Sequence, residues 1–216
     1  MKTLEVPFVP GLASRTDAEI LSLLEASGSR FYVDRANWPD AFGYMPVCAG
    51  SIARYDDGLA ICFHVSGLDL RARNLEDNGR QCEDSCCEFF VQEPDGDRYF
   101  NFEVNCIGRI LGASGAGRHE RVRQAPADLA RIRRITTLPV QAYDEADTLR
   151  TWDIAVLIPF ALFGANPACP PASLKANFYK CGDETAHPHF LSWSPIDTPR
   201  PDFHRPEFFG ELVLRP

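Results

Sequence analysis

Two glutamates and three asparagines carry the chemical interest of this sequence. Glu88 lies in DSCCEFFVQ (84–92), and Glu103 lies in RYFNFEVNCIGRILG (98–112) between Asn101 and Asn105. Asn177 lies in LKANFY (174–179). Carboxylates accept hydrogen bonds and amides both donate and accept, so such groups fixed side by side suit a hydroxyl-rich ligand. A carboxylate pair is also the apparatus of glycoside hydrolysis, at ~5 Å in retaining enzymes and ~6.5–9.5 Å in inverting ones. Neighbouring strands ~4.8 Å apart can supply either separation. Hydrolysis finds no second sign, because the chain holds no G-x-S-x-G elbow, H-E-x-x-H pair or phosphate loop. Binding is therefore preferred, with a glycan-active enzyme using Glu88 and Glu103 as its rival. His187, His189 and His204 crowd a late segment (181–210) with Asp183 and Asp202, a set able to hold zinc or iron. The prolines around them equally describe a rigid loop that shapes a pocket, and no metal is assigned.

The elements that must position these groups read as strands. Cys87, Phe89 and Val91 share one parity, against Asp84, Cys86 and Glu88. Phe100, Phe102, Val104 and Cys106 share another, against Asn101, Glu103 and Asn105. Asp95-Gly96 marks a hairpin turn between them, so one face packs on a core and the other displays acids and amides. Ser51–Tyr55 and Leu59–Val65 pair around Asp56-Asp57-Gly58, with Leu59, Ile61, Phe63 and Val65 inward. Thr151–Pro159, Leu174–Tyr179 and Glu211–Leu214 supply further strands. Thr16 and Glu19 have capping-box spacing ahead of Ile20, Leu23 and Leu24, which predicts a short helix lying on the sandwich. Ala127–Ile135 predicts a second helix, within an arginine-rich run read as a solvated face. Trp38 is read as a core residue before a sugar platform.

These strands, without repeat or linker, predict one domain over residues 1–216: an all-β antiparallel sandwich with short peripheral helices. The formal charge of −8 argues against nucleic acid and anionic membrane as partners. No apolar run approaches the ~20 residues of a membrane span. The first residues lack a hydrophobic signal core, so the chain as given reads as cytoplasmic, or periplasmic or secreted if a signal was removed. The eight cysteines match no zinc template and are read mostly as reduced, buried side chains, with Cys87 and Cys106 as the pair to test for a bridge. Oligomeric state is not legible.

DSCCEFFVQ, NFEVNCIG, ANFYKCGD, HFLSWSPI and PDFHRPEFFGEL, in that order, resemble the stand-alone carbohydrate-binding family 9-like proteins. These are similar to the family 9 modules of xylanases and to the wider DOMON-like β-sandwich group. The resemblance implies a jelly-roll-like or immunoglobulin-like sandwich that binds saccharide without catalysis, with no cofactor and with calcium left open. By motif position it implies Glu88, Asn101, Glu103 and Asn105 as hydrogen-bonding residues, joined by Asn177 or Tyr179. It implies Phe203, or else Trp193, as an aromatic platform, with His204 beside Phe203. The pattern breaks at Cys82, where the family often has tryptophan, and at Glu103, where the xylanase modules carry a basic residue. Some DOMON-like relatives hold haem through Met and His or Lys. Here that role would fall to Met45 and His64, which nothing in their spacing requires.

Overall fold

The computed structural model describes residues 2–93 and 96–216, so Asp95 of the expected turn lies outside the described residues. In chain order the strands are β1 (Thr3–Val6), β2 (Ser29–Tyr32), β3 (Arg35–Ala36), β4 (Val47–Tyr55), β5 (Gly58–Gly67), β6 (Cys86–Gln92) and β7 (Tyr99–Asn105). They continue as β8 (Ile110–Gly115), β9 (Val122–Arg123), β10 (Arg133–Thr136), β11 (Arg150–Pro159), β12 (Ser173–Cys181), β13 (Phe190–Ser192) and β14 (Gly210–Leu214). Helices α1 (Asp17–Ser27) and α2 (Pro126–Leu129) lie outside the sheets. One sheet runs β1-β14-β12-β6-β7-β8-β9, with β13 joining β12 to β3; the other runs β10-β11-β5-β4-β2. The pairing is antiparallel except for β1 with β14.

The alternation read from the sequence builds the core between the two sheets. Cys87, Phe89, Val91, Phe102, Val104 and Phe178 face Leu59, Ile61, Phe63, Val65 and the inward side chains of β11, all buried. Phe178 stacks on Phe31 at 4.0 Å and on Phe89 at 5.4 Å, and it meets Trp193 edge-on at 5.6 Å. Large rings here hold the sheets together by area buried and by ring geometry.

Both outer faces are also covered, which period-two alternation did not announce. Helix α1 lies on the second sheet, where Ile20 and Leu24 pack with Ala60, Cys62, Ala155 and Leu157. Its capping box forms as expected: Thr16 N–H donates to Glu19 Oε2 at 2.9 Å, and Glu19 N–H donates back to Thr16 Oγ1. The second expected helix is cut to α2, and Arg133–Thr136 instead forms the edge strand β10. The exposed flank of β11 offered that segment hydrogen bonds that a helix could not use. All eight cysteines are free thiols. Cys87 and Cys106 are not bridged, and the Cys106 thiol donates to Arg71 O at 3.5 Å.

The outer face of the first sheet is not the open polar surface that the sequence suggested. The segment from Trp193 to Phe209 folds across it. Ile196, Phe203 and Phe209 then join Phe90, Tyr99, Tyr179 and Trp38 in a second apolar layer. Phe90, Tyr99 and Tyr179 occupy the same parity as the acids and amides, so this face is amphipathic and must be covered.

Candidate functional site

Strand register assembles the site before any loop is considered. Glu88 lies directly opposite Glu103 on one side and Tyr179 on the other. One row along, Asn101, Phe90 and Asn177 align, and one row the other way come Asn105, Cys86 and Cys181. Glu88 and Glu103 are 3 % and 8 % exposed, so water barely reaches them. They form the floor of a cavity of about 90 Å³. Pro201, Asp202, Phe203 and His204 from the covering segment line it, together with Arg118, Cys82, Asp183 and Phe190. Phe190 meets Phe203 edge-on at 6.1 Å.

Burial sets the charge state of the floor. Burial first, then the neighbouring Glu103 carboxylate, pushes Glu88 well above the usual carboxylate range. Burial pushes Glu103 up to about 7, against the hydrogen bond from Asn101. Asp183 is likewise pushed up to about 6 by burial. Near neutrality Glu88 keeps its proton while Glu103 is part-ionised. The floor therefore offers an O–H donor beside a charged acceptor. His204 is held down to about 4, by burial and then by Arg121 and Arg118, so its ring is neutral.

Each floor group has a support. Arg121 donates to Asn101 Oδ1 and lies 4.2 Å over the Tyr99 ring. That donation fixes the amide, whose Nδ2 then donates to Glu103 Oε1 at 2.9 Å. Cys181 Sγ donates to Glu88 Oε1 at 3.0 Å. Phe203 stacks on Tyr179 at 4.1 Å with planes 6° apart, and Tyr179 Oη donates to Phe203 O at 3.1 Å. His204 Nδ1 sits 2.9 Å from Tyr99 Oη. Arg118 pairs with Asp202 at 2.9 Å across the cavity mouth.

Of the residues singled out in the sequence, Glu88, Glu103, Phe203 and His204 line this cavity together. Asn101 and Tyr179 stand behind it as supports. Asn177 is wholly buried and pins the covering segment: its Nδ2 donates to Ser194 O at 3.1 Å, and its Oδ1 accepts from Ser194 N at 2.8 Å. Asn105 is equally buried and bonds Asn74 O and Asp84 Oδ2. Trp193 packs in the core between the sheets, 4 % exposed, away from the cavity walls. The histidines do not converge: His189 Nε2 bonds Lys180 Nζ at 2.7 Å and His187 lies against Tyr44, while His204 faces Tyr99. His64 is held by Asp153 at 2.9 Å. Trp38 donates to Thr198 O at 2.6 Å and holds the covering segment down.

Sequence reading passed over Arg118 and Phe190 as site residues, and took Asp183 only with the histidines. Arg118 and Arg121 belonged to a run read as solvated, and only the folding of 118–123 along β8 brings Arg118 to the cavity and half-buries Arg121. Cys82, the break in the family pattern, does fall on the cavity wall.

With this geometry in view, the comparisons define the class. Carbohydrate-binding family 9 matches residues 20–214, and the chain belongs to that family. Among solved structures it is similar to a candidate carbohydrate-binding protein from Bacteroides uniformis ATCC 8492. The two are 36% identical with a TM-score of 0.91, covering 99% of each chain. A family 9 module from Caldicellulosiruptor kristjanssonii, solved with glucose, has a TM-score of 0.61 at 12% identity, covering 99% of this chain and 96% of that one. The same organism's module with cellotriose gives 0.61 and 12%, covering 99% and 94%. At that identity these two share the fold. No curated protein gives a significant match.

Proposed function

We propose that this protein binds a saccharide, with one terminal ring entering the cavity floored by Glu88 and Glu103. The observation that carries the reading is the pair of adjacent buried carboxyls that line one cavity with Phe203 in a member of carbohydrate-binding family 9. A sugar presents hydroxyls that both donate and accept along its rim, with an apolar face above and below. Glu88 and Glu103 answer the hydroxyls, while Phe203 and Phe190, in edge contact at 6.1 Å, offer apolar surface to the ring. The cavity is small, about 90 Å³, which suits the end of a saccharide rather than the flank of a polymer. Glucose and cellotriose, the ligands of the related modules, are the first to test.

The carboxyl arrangement favours binding over hydrolysis. A glycosidase sets its two carboxyls on either side of the scissile bond. Here both rise from one sheet face, side by side, in cross-strand register.

Calorimetry with a panel of mono- and oligosaccharides tests the reading, with Glu103→Gln as the discriminating variant. The substitution keeps shape and an acceptor for Asn101 but removes the charge. The expected result is at least about a tenfold loss of affinity, the worth of one charge-assisted hydrogen bond. Unchanged affinity in Glu103→Gln moves the ligand elsewhere. New reducing ends on incubation with oligosaccharides favour the enzyme.

A further inference from the structure

Beside the cavity floor, on the same sheet face, lie two buried thiols that saccharide binding does not use. Cys86 on β6 and Cys181 on β12 are register partners, 0 % and 1 % exposed, and the Cys86 thiol donates to Cys87 O at 3.6 Å. Glu88 is two residues along the same face, and its Oε1 accepts from Cys181 Sγ at 3.0 Å. One donor atom from each of the three lies within 4.8 Å of the others. A third thiol, Cys82, is on the cavity wall, and its backbone oxygen lies 3.8 Å from Cys181 Sγ.

We propose that Cys86, Cys181 and Glu88 form a binding site for one zinc ion, whose fourth coordination position faces the cavity beside Cys82. Zinc bonds of ~2.3 Å to sulfur and ~2.0–2.2 Å to oxygen place two thiolates ~3.8 Å apart and each thiolate ~3.5 Å from the carboxylate. Separations of at most 4.8 Å in the metal-free site therefore need to close by no more than about an ångström. Two soft sulfurs and one oxygen select a borderline-soft ion over calcium or magnesium. The reaction is an exchange without oxidation or reduction: zinc enters, two thiols and the Glu88 carboxylic acid each lose a proton to solvent, and three metal–ligand bonds form. Burial keeps the thiols protonated without metal, so the ion replaces protons rather than joining free thiolates. Because Glu88 also floors the cavity, zinc and saccharide compete. That competition rests on the saccharide reading, whereas zinc binding itself does not.

The test uses the whole chain, kept reduced and carrying Cys169→Ser, which removes the exposed thiol. Cadmium is titrated in as a spectroscopic substitute, followed by the ultraviolet thiolate-to-cadmium charge-transfer band. Zinc is titrated in weak buffer with a proton indicator. The expected results are saturation at one equivalent and release of about three protons per zinc at neutral pH. Cys86→Ala and Cys181→Ala should each abolish the one-equivalent band. Glu88→Gln should weaken zinc by at least the ~10-fold that loss of even an outer-shell partner costs. If the alanine variants fail to fold, proton release by the unsubstituted thiols decides. No band at micromolar cadmium, a band that survives Cys86→Ala in a folded protein, or fewer than two protons released overturns the site. Zinc binding with no response to any saccharide leaves the metal site standing and removes the sugar reading instead.

Discussion

Removing the charge from Glu103 should stabilise the protein in alkaline solution and leave it unchanged in acid. Glu103 sits on the cavity floor at 8 % exposure, and burial raises its carboxyl from an ordinary 4.5 to about 7. A folded state that holds a proton more tightly than the unfolded chain is penalised once that proton is lost. The penalty is absent below pH 4.5, grows as pH rises towards 7, and is complete above it. At about 1.4 kcal/mol per tenfold change in proton affinity, the difference between 4.5 and about 7 amounts to on the order of 3 kcal/mol. Glutamine cannot ionise, and its side-chain oxygen still accepts from Asn101. Glu103→Gln should therefore match the parent near pH 4.5 and exceed it by a few kcal/mol at pH 8.5. For a chain of this length that is a rise of roughly 5–10 °C in Tm. Melts of both proteins at the two pH values, by circular dichroism, measure it directly. An identical Tm difference at both values, or a Glu103→Gln protein less stable at pH 8.5, would refute the buried-carboxyl reasoning. A gain in stability together with a loss of saccharide affinity is the trade expected when a strained charge serves a ligand.

Other outcomes follow from single contacts. Lys180 is wholly buried, with Nζ 2.7 Å from Asp69 Oδ2 and 2.7 Å from His189 Nε2. Burial acts to lower the pKa of Lys180 and to raise that of Asp69, and their mutual attraction overrides it in both. Lys180→Ala leaves buried Asp69 without its countercharge and should cost about 3–5 kcal/mol in denaturant unfolding; a cost below 1 kcal/mol would mean that water reaches the pair. Gly210→Ala would place a methyl 2.3 Å from the Trp193 ring and 2.8 Å from Lys2 O, so a loss of about 1–3 kcal/mol is expected. Thr16→Ala removes the capping box of α1 and should cost about 1 kcal/mol, whereas no change would show that the helix is held by packing alone. A thiol reagent in native buffer should label Cys169 quickly and the wholly buried Cys86, Cys87 and Cys181 only on unfolding.

Much of the architecture was legible because burial leaves a period-two mark. The alternation in CCEFFVQ and YFNFEVN put Glu88 and Glu103 at like parity on neighbouring strands, which the fold pairs directly, and Thr16 with Glu19 gave the start of α1. Together with five ordered motifs, that carried the likeness to family 9. What alternation cannot express is a third layer. Whether a face is open or covered depends on segments far away in sequence, and the 193–209 loop turned an expected surface into a buried floor. The same long-range packing made Asn105 and Asn177 into staples, put Trp193 between the sheets and drew Arg118 to the cavity mouth. It also raised the affinity of Glu88 and Glu103 for their protons, because desolvation belongs to the surroundings and not to the residue. Sequence determined which side chains share a face; only the tertiary structure decided which of those faces meets water.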